Sequence, residues 1–238
     1  MPPSLPSAAS YSKSLSYATS LLRRSDVDSL YPSYFYPTAA RPAYLAIRAL
    51  NVELASINDQ VTSAAVGRMR FQWWRDAVKS AFDNKPVPHP IPTLLASLPQ
   101  VLDSQLSSYH FTRLINAREA HFLNPSFSSL QDLADYSAGT QASLLYLQLQ
   151  AVDRPTRSGG MPRHTNLFQH SGGEHAGEEG FQALSRGTGL KEPDALTVDH
   201  AASHLAVATT IAILLRSIPH HAAKRINIIP TEIALYLL

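Results

Sequence analysis

Residues 42–61, PAYLAIRALNVELASINDQV, decide the fold of this chain. Pro42 stands where a helix can begin, because its fixed backbone angle suits a first helical turn. The large apolar residues that follow recur at spacings of three and four, and they are Ile47, Leu50, Leu54, Ile57 and Val61. This spacing is typical of an amphipathic helix with one side turned toward a core. The stretch therefore predicts a long helix.

The residues that follow predict four more helices. One begins after Thr62 or Ser63 and is predicted to end within the proline-rich residues 84–92. On it we expect Val66, Met69, Trp73 and Ala77 to face inward, with Arg68, Gln72, Arg75 and Lys79 on another face. Three others are predicted at 93–107, 110–123 and 129–151. A capping box of Ser129 and Asp132 opens the last of them.

Composition changes after residue 152. Residues 153–193 hold eight of the ten glycines and few large apolar side chains, so we expect a disordered insertion there. Helical structure is predicted to resume near Val198 and to stop at Pro219. The residues expected on one face of that helix are His200, His204, Val207, Ile211, Leu214 and Ile218. The predicted domains are a tail or partial targeting segment at 1–10, a helical domain at 11–152 and 194–238, and the insertion.

Composition also limits the classes of function. The chain has 238 residues, 45% hydrophobic and 16% charged, with a net charge of +2, which predicts one folded domain and no nucleic-acid partner. Without cysteine, any metal site would need histidines or carboxylates. No apolar run approaches the roughly 20 residues that span a bilayer, so we expect a soluble or membrane-peripheral protein. Residues 1–25 lack acids, as in a mitochondrial presequence, but 11–22 also fit an ordinary first helix.

The pair His200 and His204 is the clearest candidate metal motif, because histidines four residues apart on a helix can chelate a metal. A zinc hydrolase would carry a glutamate beside the first histidine, but Ala201 stands there, so we expect no metal site. The sequence also has no glycine-rich phosphate loop, no nucleophile elbow and no carboxylate pair at a useful spacing. Motifs alone therefore predict no active site.

Four segments, taken in order, resemble the squalene/phytoene synthase family. They are AIRALNVELASIND (46–59), GRMRFQWWRDAV (67–78), LADYSAGTQASLLYLQLQ (133–150) and HAASHLAVATTIAILLRSIPHHAAKRINIIP (200–230). Phrases within them are most similar to a branch of that family whose members are assembly factors of respiratory complex I. The resemblance implies an all-α, single-domain, isoprenoid-synthase-like helical bundle. Because the family's domain continues beyond the segment that ends near Pro230, we expect the bundle to lack its last helices.

The family's enzymes hold magnesium with aspartates on two facing helices, and the resemblance gives the equivalent positions here. Arg48 and Arg216 match the arginine of each motif. The residues at the four aspartate positions are Asn51, Ala55, Ser217 and His221. Magnesium takes oxygen ligands, including carboxylates, and neutralises the leaving diphosphate. The resemblance therefore implies a pseudoenzyme without a metal cofactor.

A set of polar residues remains as a candidate pocket for a prenyl chain or a lipid head group. The set comprises Arg48, Asn51, Tyr136, Gln141, His200, His204 and Arg216. The alternative is that these side chains only satisfy buried polar groups of a helical bundle. Two acids of the first motif helix, Glu53 and Asp59, are predicted to lie off the face that carries Arg48 and Asn51.

The resemblance implies a non-catalytic assembly factor for mitochondrial respiratory complex I, on the matrix side of the inner membrane. The implied partners are complex I subunits or assembly intermediates, with peripheral contact to the membrane surface. Two alternatives stay open. One is a transferase that uses prenyl diphosphates with altered metal ligands, and the other is a carrier that binds an isoprenoid or lipid without turnover.

Overall fold

The computed structural model describes residues 7–100, 102, 106–152, 195–225 and 227–236, and within them the secondary structure is helical with no strand. The helices are α1 (Ala8–Ser25), α2 (Val27–Leu30), α3 (Arg41–Gln60), α4 (Ala64–Phe82), α5 (Pro90–Ser97), α6 (Ser108–Leu123), α7 (Leu130–Gly139), α8 (Gln141–Val152), α9 (Ala195–Ala223) and α10 (Thr231–Tyr236). Short 3-10 turns follow α2 and α5. The all-α prediction is confirmed. The predicted insertion at 153–193 lies outside the described residues.

Helix α3 is the centre of the bundle. Its predicted apolar stripe is confirmed, since Ile47, Leu50 and Leu54 are almost completely buried. It packs against α1, α5, α6 and α8. Because large aliphatic side chains line one face, burying that face supplies much of the hydrophobic stabilisation of the bundle. Of the helices that carry candidate site residues, α8 packs directly on α3, and α9 joins the bundle through α7 and α8.

The predicted orientation of α4 is wrong for three of its four inward residues. Ala77 is buried as predicted, but Val66, Met69 and Trp73 are 45%, 71% and 42% exposed. The buried residues of α4 are Gly67, Phe71, Trp74, Ala77, Val78 and Ala81. The physical reason is close packing at Gly67, where an added Cβ would collide with the ring of Phe122 on α6. A glycine adds no hydrophobicity to the sequence pattern, yet here it fixes which face of α4 meets α6.

Two predicted helix boundaries are also corrected. The helix expected at 93–107 begins earlier, because Pro90 and Pro92 occupy the first turn of α5, and it ends at Ser97. The helix expected at 129–151 is broken at Thr140, whose backbone has φ −104° and ψ −82°. The predicted capping box is confirmed, with the hydroxyl of Ser129 accepting from the backbone N–H of Asp132 at 3.1 Å.

Helix α9 departs furthest from the sequence prediction. It continues through Pro219 to Ala223 instead of stopping at the proline. Its buried residues are Ala202, Ala206 and Thr210, whereas His204 and Ile211 of the predicted inner face are exposed. Small side chains pack closely against α7 and α8, so they form the inner face although they are less apolar than the rest.

Helix α9 also contradicts the expectation that no apolar run approaches the length of a membrane span. Residues Leu196–Ala223 have a mean hydropathy of 1.5 over a span-length window, of which 17% is buried. Among the described helices it alone is long and apolar enough to cross a bilayer, by length and composition only. The prediction treats Thr209 and Thr210 as interruptions of the apolar run. Threonines do not prevent a helix from spanning a bilayer.

Candidate functional site

A cavity of about 490 Å³ opens between α3, the α7–α8 break and α9, and the turn between α1 and α2 closes one end. We call it the central cavity. Five of the predicted motif or pocket residues line it, namely Asn51, Ala55, Tyr136, Gln141 and Arg216. The break between α7 and α8 lies at this cavity, since Thr140 lines it, and the Thr140 hydroxyl donates to the carbonyl of Tyr136 at 2.7 Å.

The inner end of the central cavity is organised by Arg118 of α6, a residue that the sequence did not predict. Its Nη2 donates to Oδ1 of Asn51 at 2.7 Å, and its Nη1 donates to the hydroxyl of Tyr136 at 2.8 Å. The guanidinium also lies 5.9 Å from the centroid of the Tyr136 ring, within range of a cation–π contact. Arg118 therefore supplies a fixed positive charge beside Asn51.

Carboxylates also reach the central cavity, from Asp26 and Asp59. The Asp59 carboxylate accepts from Nζ of Lys224 at 3.0 Å, and the Asp26 carboxylate caps α2 by accepting from the backbone N–H of Ser29 at 3.2 Å. The prediction that Asp59 lies off the face of Asn51 is wrong, because both residues line the central cavity. Eight residues along a helix separate two side chains by about 80° around the axis, and a wide cavity can span that angle.

Arg216 lies at the rim of the central cavity. Its Nη1 donates to the carboxylate of Asp28 at 2.6 Å, and both side chains are largely exposed. An exposed pair of this kind contributes little to stability, about 0–1 kcal/mol. The pair nevertheless connects α9 to α2 across the mouth of the cavity, since the two residues lie 188 positions apart in the chain.

The other predicted site residues lie outside the central cavity. Arg48 is close to Tyr44, where burial raises the pKa of the phenol and the Arg48 guanidinium opposes that rise. His200 and His204 contact each other on the exposed side of α9, with 3.1 Å between their Nε2 atoms. Ser217 donates its hydroxyl to the carbonyl of Leu214 at 2.8 Å. His221 is half-buried, and burial lowers the pKa of its imidazole.

His121 forms part of the wall behind Tyr136. Its imidazole is stacked on Phe127 with ring centroids 5.1 Å apart, and it contacts the Tyr136 ring at 4.6 Å. Burial, helped by the nearby guanidinium of Arg118, lowers the pKa of His121 to about 4. The side chain is therefore neutral at physiological pH and acts as an aromatic wall of the site.

The residues of the central cavity do not fit a magnesium–diphosphate site. Within the described ranges, no three His, Asp or Glu side chains converge where a metal ion could sit. The oxygen of Asn51 accepts from the Arg118 guanidinium, and the carboxylate of Asp59 already faces Lys224. Magnesium requires several oxygen ligands in near-octahedral geometry, and a guanidinium in the same place repels it.

Comparison with known proteins identifies the family. The family model described as squalene/phytoene synthase matches residues 22–236. The chain belongs to this family. The family prediction made from the four sequence segments is therefore confirmed.

Relatives of the chain carry a shared name. A mouse protein named NADH dehydrogenase (ubiquinone) complex I, assembly factor 6, is 30% identical over 217 residues, which are 91% of this chain and 53% of that protein. The human protein of the same name is 27% identical, over 92% of this chain and 54% of its own length. A Drosophila melanogaster homologue is 26% identical over 91% of this chain and 54% of its own length. The chain thus spans about half the length of the curated relatives it matches.

A solved structure supports the fold independently. The crystal structure of a dehydrosqualene synthase in complex with ligand superposes with a TM-score of 0.52 at 12% identity, covering 60% of this chain and 48% of that one. At such low identity the similarity concerns the helical architecture alone. The prediction of an isoprenoid-synthase-like helical bundle is confirmed for this member of the squalene/phytoene synthase family.

Proposed function

We propose that the chain is a non-catalytic assembly factor for mitochondrial respiratory complex I, built on a squalene/phytoene synthase fold. Its relatives in mouse, human and Drosophila melanogaster carry the name of complex I assembly factor 6 or of a homologue of it. The proposed partners are complex I subunits or assembly intermediates. The proposed location is the matrix side of the inner membrane.

The single observation that carries the non-catalytic part of the proposal is the contact between Arg118 and Asn51. By the family resemblance, Asn51 stands at a position where an enzyme would hold a metal ligand. Here its side-chain oxygen accepts from a guanidinium at 2.7 Å. In this proposal the guanidinium of Arg118 supplies the positive charge that a metal ion would supply. Unlike a metal ion, it has no open coordination position for a substrate.

Helix α9 supports the peripheral membrane contact in this proposal. Leu205 and Leu215 are more than half exposed on it, and basic residues follow at its end, including Lys224 and Arg225. Exposed apolar surface followed by basic residues favours contact with a membrane whose surface is anionic.

The experiment that tests the function compares complex I with isoprenoid products in the same cells. Deleting the gene should reduce assembled complex I on blue-native gels and leave squalene- and phytoene-derived products unchanged. The purified protein, incubated with prenyl diphosphates and Mg²⁺, should release no pyrophosphate. Normal complex I together with a fall in a squalene-derived product would instead favour the transferase alternative.

The central cavity favours one second candidate, an isoprenoid or lipid carrier. Its wall combines apolar residues, including Val52, Ile213 and Leu214, with the polar end at Arg118. Such a division fits an apolar chain with a polar head. Native mass spectrometry of protein purified from its own cells tests this role, since a carrier retains a ligand of defined mass whereas a scaffold alone does not.

A further inference from the structure

A second pocket lies on a neighbouring face of α3, between α3, α4 and the start of α5, and Ser56 lines both this pocket and the central cavity. It measures about 270 Å³, and its main lining residues are Glu53, Gln60, Arg70, Trp73, Trp74 and His89. We call it the tryptophan pocket. None of the predicted site residues lines it. Its volume is below the roughly 300–1,000 Å³ of sites for drug-sized molecules, so it suits a small ligand or one chemical group.

Three aromatic rings of the tryptophan pocket meet nearly at right angles. The Trp73 and Trp74 rings are 4.9 Å apart with an interplanar angle of 80°. His89 meets Trp73 at 79° and Trp74 at 85°, with centroids within 5.6 Å in both cases. Rings at such angles form the corner of a box, and the negative faces of aromatic rings attract cations. Trp73 is 42% exposed, so the box opens to solvent.

One carboxylate lines the same pocket. Glu53 accepts a hydrogen bond from the Tyr17 hydroxyl at 2.6 Å, and it forms no ion pair with any described residue. Burial lowers the pKa of His89, although the Glu53 carboxylate acts in the opposite direction. Nδ1 of His89 accepts from the backbone N–H of Ile91 at 3.3 Å, which also suits a neutral ring. Among the described residues, the half-buried carboxylate of Glu53 therefore has a hydrogen-bond donor in Tyr17 but no cationic partner.

We propose that the tryptophan pocket binds an alkylated ammonium group of the kind carried by choline. The carboxylate of Glu53 supplies the charge, and the tryptophan rings supply faces that attract methylated nitrogen without requiring hydrogen bonds from it. A quaternary ammonium fits this chemistry better than a metal ion, because one carboxylate beside aromatic rings gives a metal too few ligands.

Arg70 is the one cationic side chain that lines the pocket, and it opposes this ligand. Its Nη1 donates to the side-chain oxygen of Gln60 at 2.6 Å, which holds the guanidinium toward the end of α3. Gln60 lies two helical turns beyond Glu53, about 10 Å along the axis. Arg70 therefore reduces the affinity of the pocket for a cation, but it forms no ion pair with Glu53 that would neutralise the carboxylate.

The test uses the intrinsic fluorescence of the protein. The chain contains two tryptophans, and both line the pocket, so tryptophan emission reports on this site. The intact protein is titrated with choline at constant ionic strength. The control ligand is the uncharged carbon isostere of choline, in which a tert-butyl group replaces the trimethylammonium group. We expect a saturable change with choline and a much weaker one with the isostere.

Charge variants give the sign of the effect. Glu53→Gln should weaken choline binding about two- to fivefold, as expected for one partly exposed charge, and Arg70→Gln should strengthen it. Trp73→Leu should weaken it about two- to fivefold through loss of one ring face. The matched control is Asp76→Asn, which removes an exposed acid of α4 that accepts from Gln72 and lies outside the pocket.

A separate arm distinguishes the source of the ligand. Phosphocholine that binds more tightly than choline, with the gain lost in Arg70→Gln, indicates a lipid head group. Equal or weaker binding of phosphocholine indicates a free small cation, and either result supports the ammonium site. Equal binding of choline and its isostere, no saturable change at all, or equal losses in Glu53→Gln and Asp76→Asn would overturn the proposal.

Discussion

At the scale of single residues, the central cavity is organised by Arg118. The family resemblance led to Asn51, Tyr136 and Gln141, because these lie within segments similar to the family. It could not lead to Arg118, since α6 lies outside those segments and the contact with Asn51 joins positions 67 residues apart. Long-range contacts of this kind depend on how helices pack, which no local pattern encodes.

The first prediction concerns the stability provided by Arg118. Arg118→Met leaves the oxygen of Asn51 and the hydroxyl of Tyr136 without their donor, so the free energy of unfolding should fall by about 1–3 kcal/mol. Urea denaturation followed by circular dichroism measures this change. The control is Arg68→Met, since Arg68 is exposed on α4. Equal effects of the two substitutions would contradict the assigned role.

A second prediction concerns pH and His121. Burial lowers its pKa from 6.5 to about 4 in the folded protein, so the unfolded chain takes up the proton first as the pH falls. The contribution of His121 to the free energy of unfolding is therefore complete above pH 6.5 and is lost progressively toward pH 4. The total loss is at most about 3 kcal/mol. His121→Phe keeps the stacking on Phe127 and removes the titration.

The measurement for His121 is urea unfolding at several pH values between 4 and 7. The variant should lose less stability than the wild-type protein over this range. The variant should still lose some stability as the pH falls, because burial also lowers the pKa of His89, His110 and His221. Identical slopes in both proteins would show that His121 is already accessible to protons when folded.

At the scale of helices, the success of the sequence prediction depended on how one-sided each helix is. Helix α3 was oriented correctly because most of its large aliphatic residues, including Ile47, Leu50 and Leu54, recur on one face. Helix α4 carries apolar residues on two faces, so the pattern favoured the exposed set with Met69 and Trp73 over the buried set with Phe71 and Trp74. Helix α9 is apolar all round, and its inner face is marked by small residues, which a search for large apolar ones passes over.

The third prediction concerns the contact that sets α7 on α6. A Cβ added at Gly139 would lie 2.5 Å from the Cβ of Ala117, which is far inside van der Waals contact. Gly139→Ala should therefore destabilise the protein by about 1–3 kcal/mol through overpacking. Thermal unfolding measures this change. The same contact holds Tyr136 close to Arg118.

A double variant makes the third prediction specific. Ala117→Gly removes the opposing methyl group and by itself costs about 1 kcal/mol of helix propensity. Combined with Gly139→Ala it should restore the space, so the double variant should lose less stability than the sum of the two single changes. Strict additivity of the two effects would mean that the helices do not meet at this point.

At the scale of the whole molecule, α9 leaves most of its apolar surface exposed. Residues 205 and 215 are both leucines with more than half of the side chain in solvent. Contiguous apolar surface of this kind usually marks an interaction site. The bundle thus combines a well-packed core around α3 with one helix that is only partly covered.

The fourth prediction follows from that exposure. Replacing Leu205 and Leu215 with glutamine should weaken binding to vesicles of phosphatidylcholine and an anionic phospholipid by roughly tenfold, because two apolar side chains no longer enter the bilayer. Co-sedimentation measures the bound fraction. The matched control replaces Leu123 and Leu130 with glutamine, since both are exposed leucines that lie elsewhere in the bundle. A similar loss in the control would show that the α9 face has no special role.

The two ion pairs at the mouth of the central cavity have a consequence for the order of folding. Arg216 and Lys224 of α9 pair with Asp28 and Asp59, which lie 188 and 165 positions earlier in the chain. Helices α1 to α5 contact one another, so they can assemble before α9 docks. The cavity wall is completed only when α9 docks. Until then Asn51 and Tyr136 face the surrounding solution, so a chaperone has most access to them during this interval.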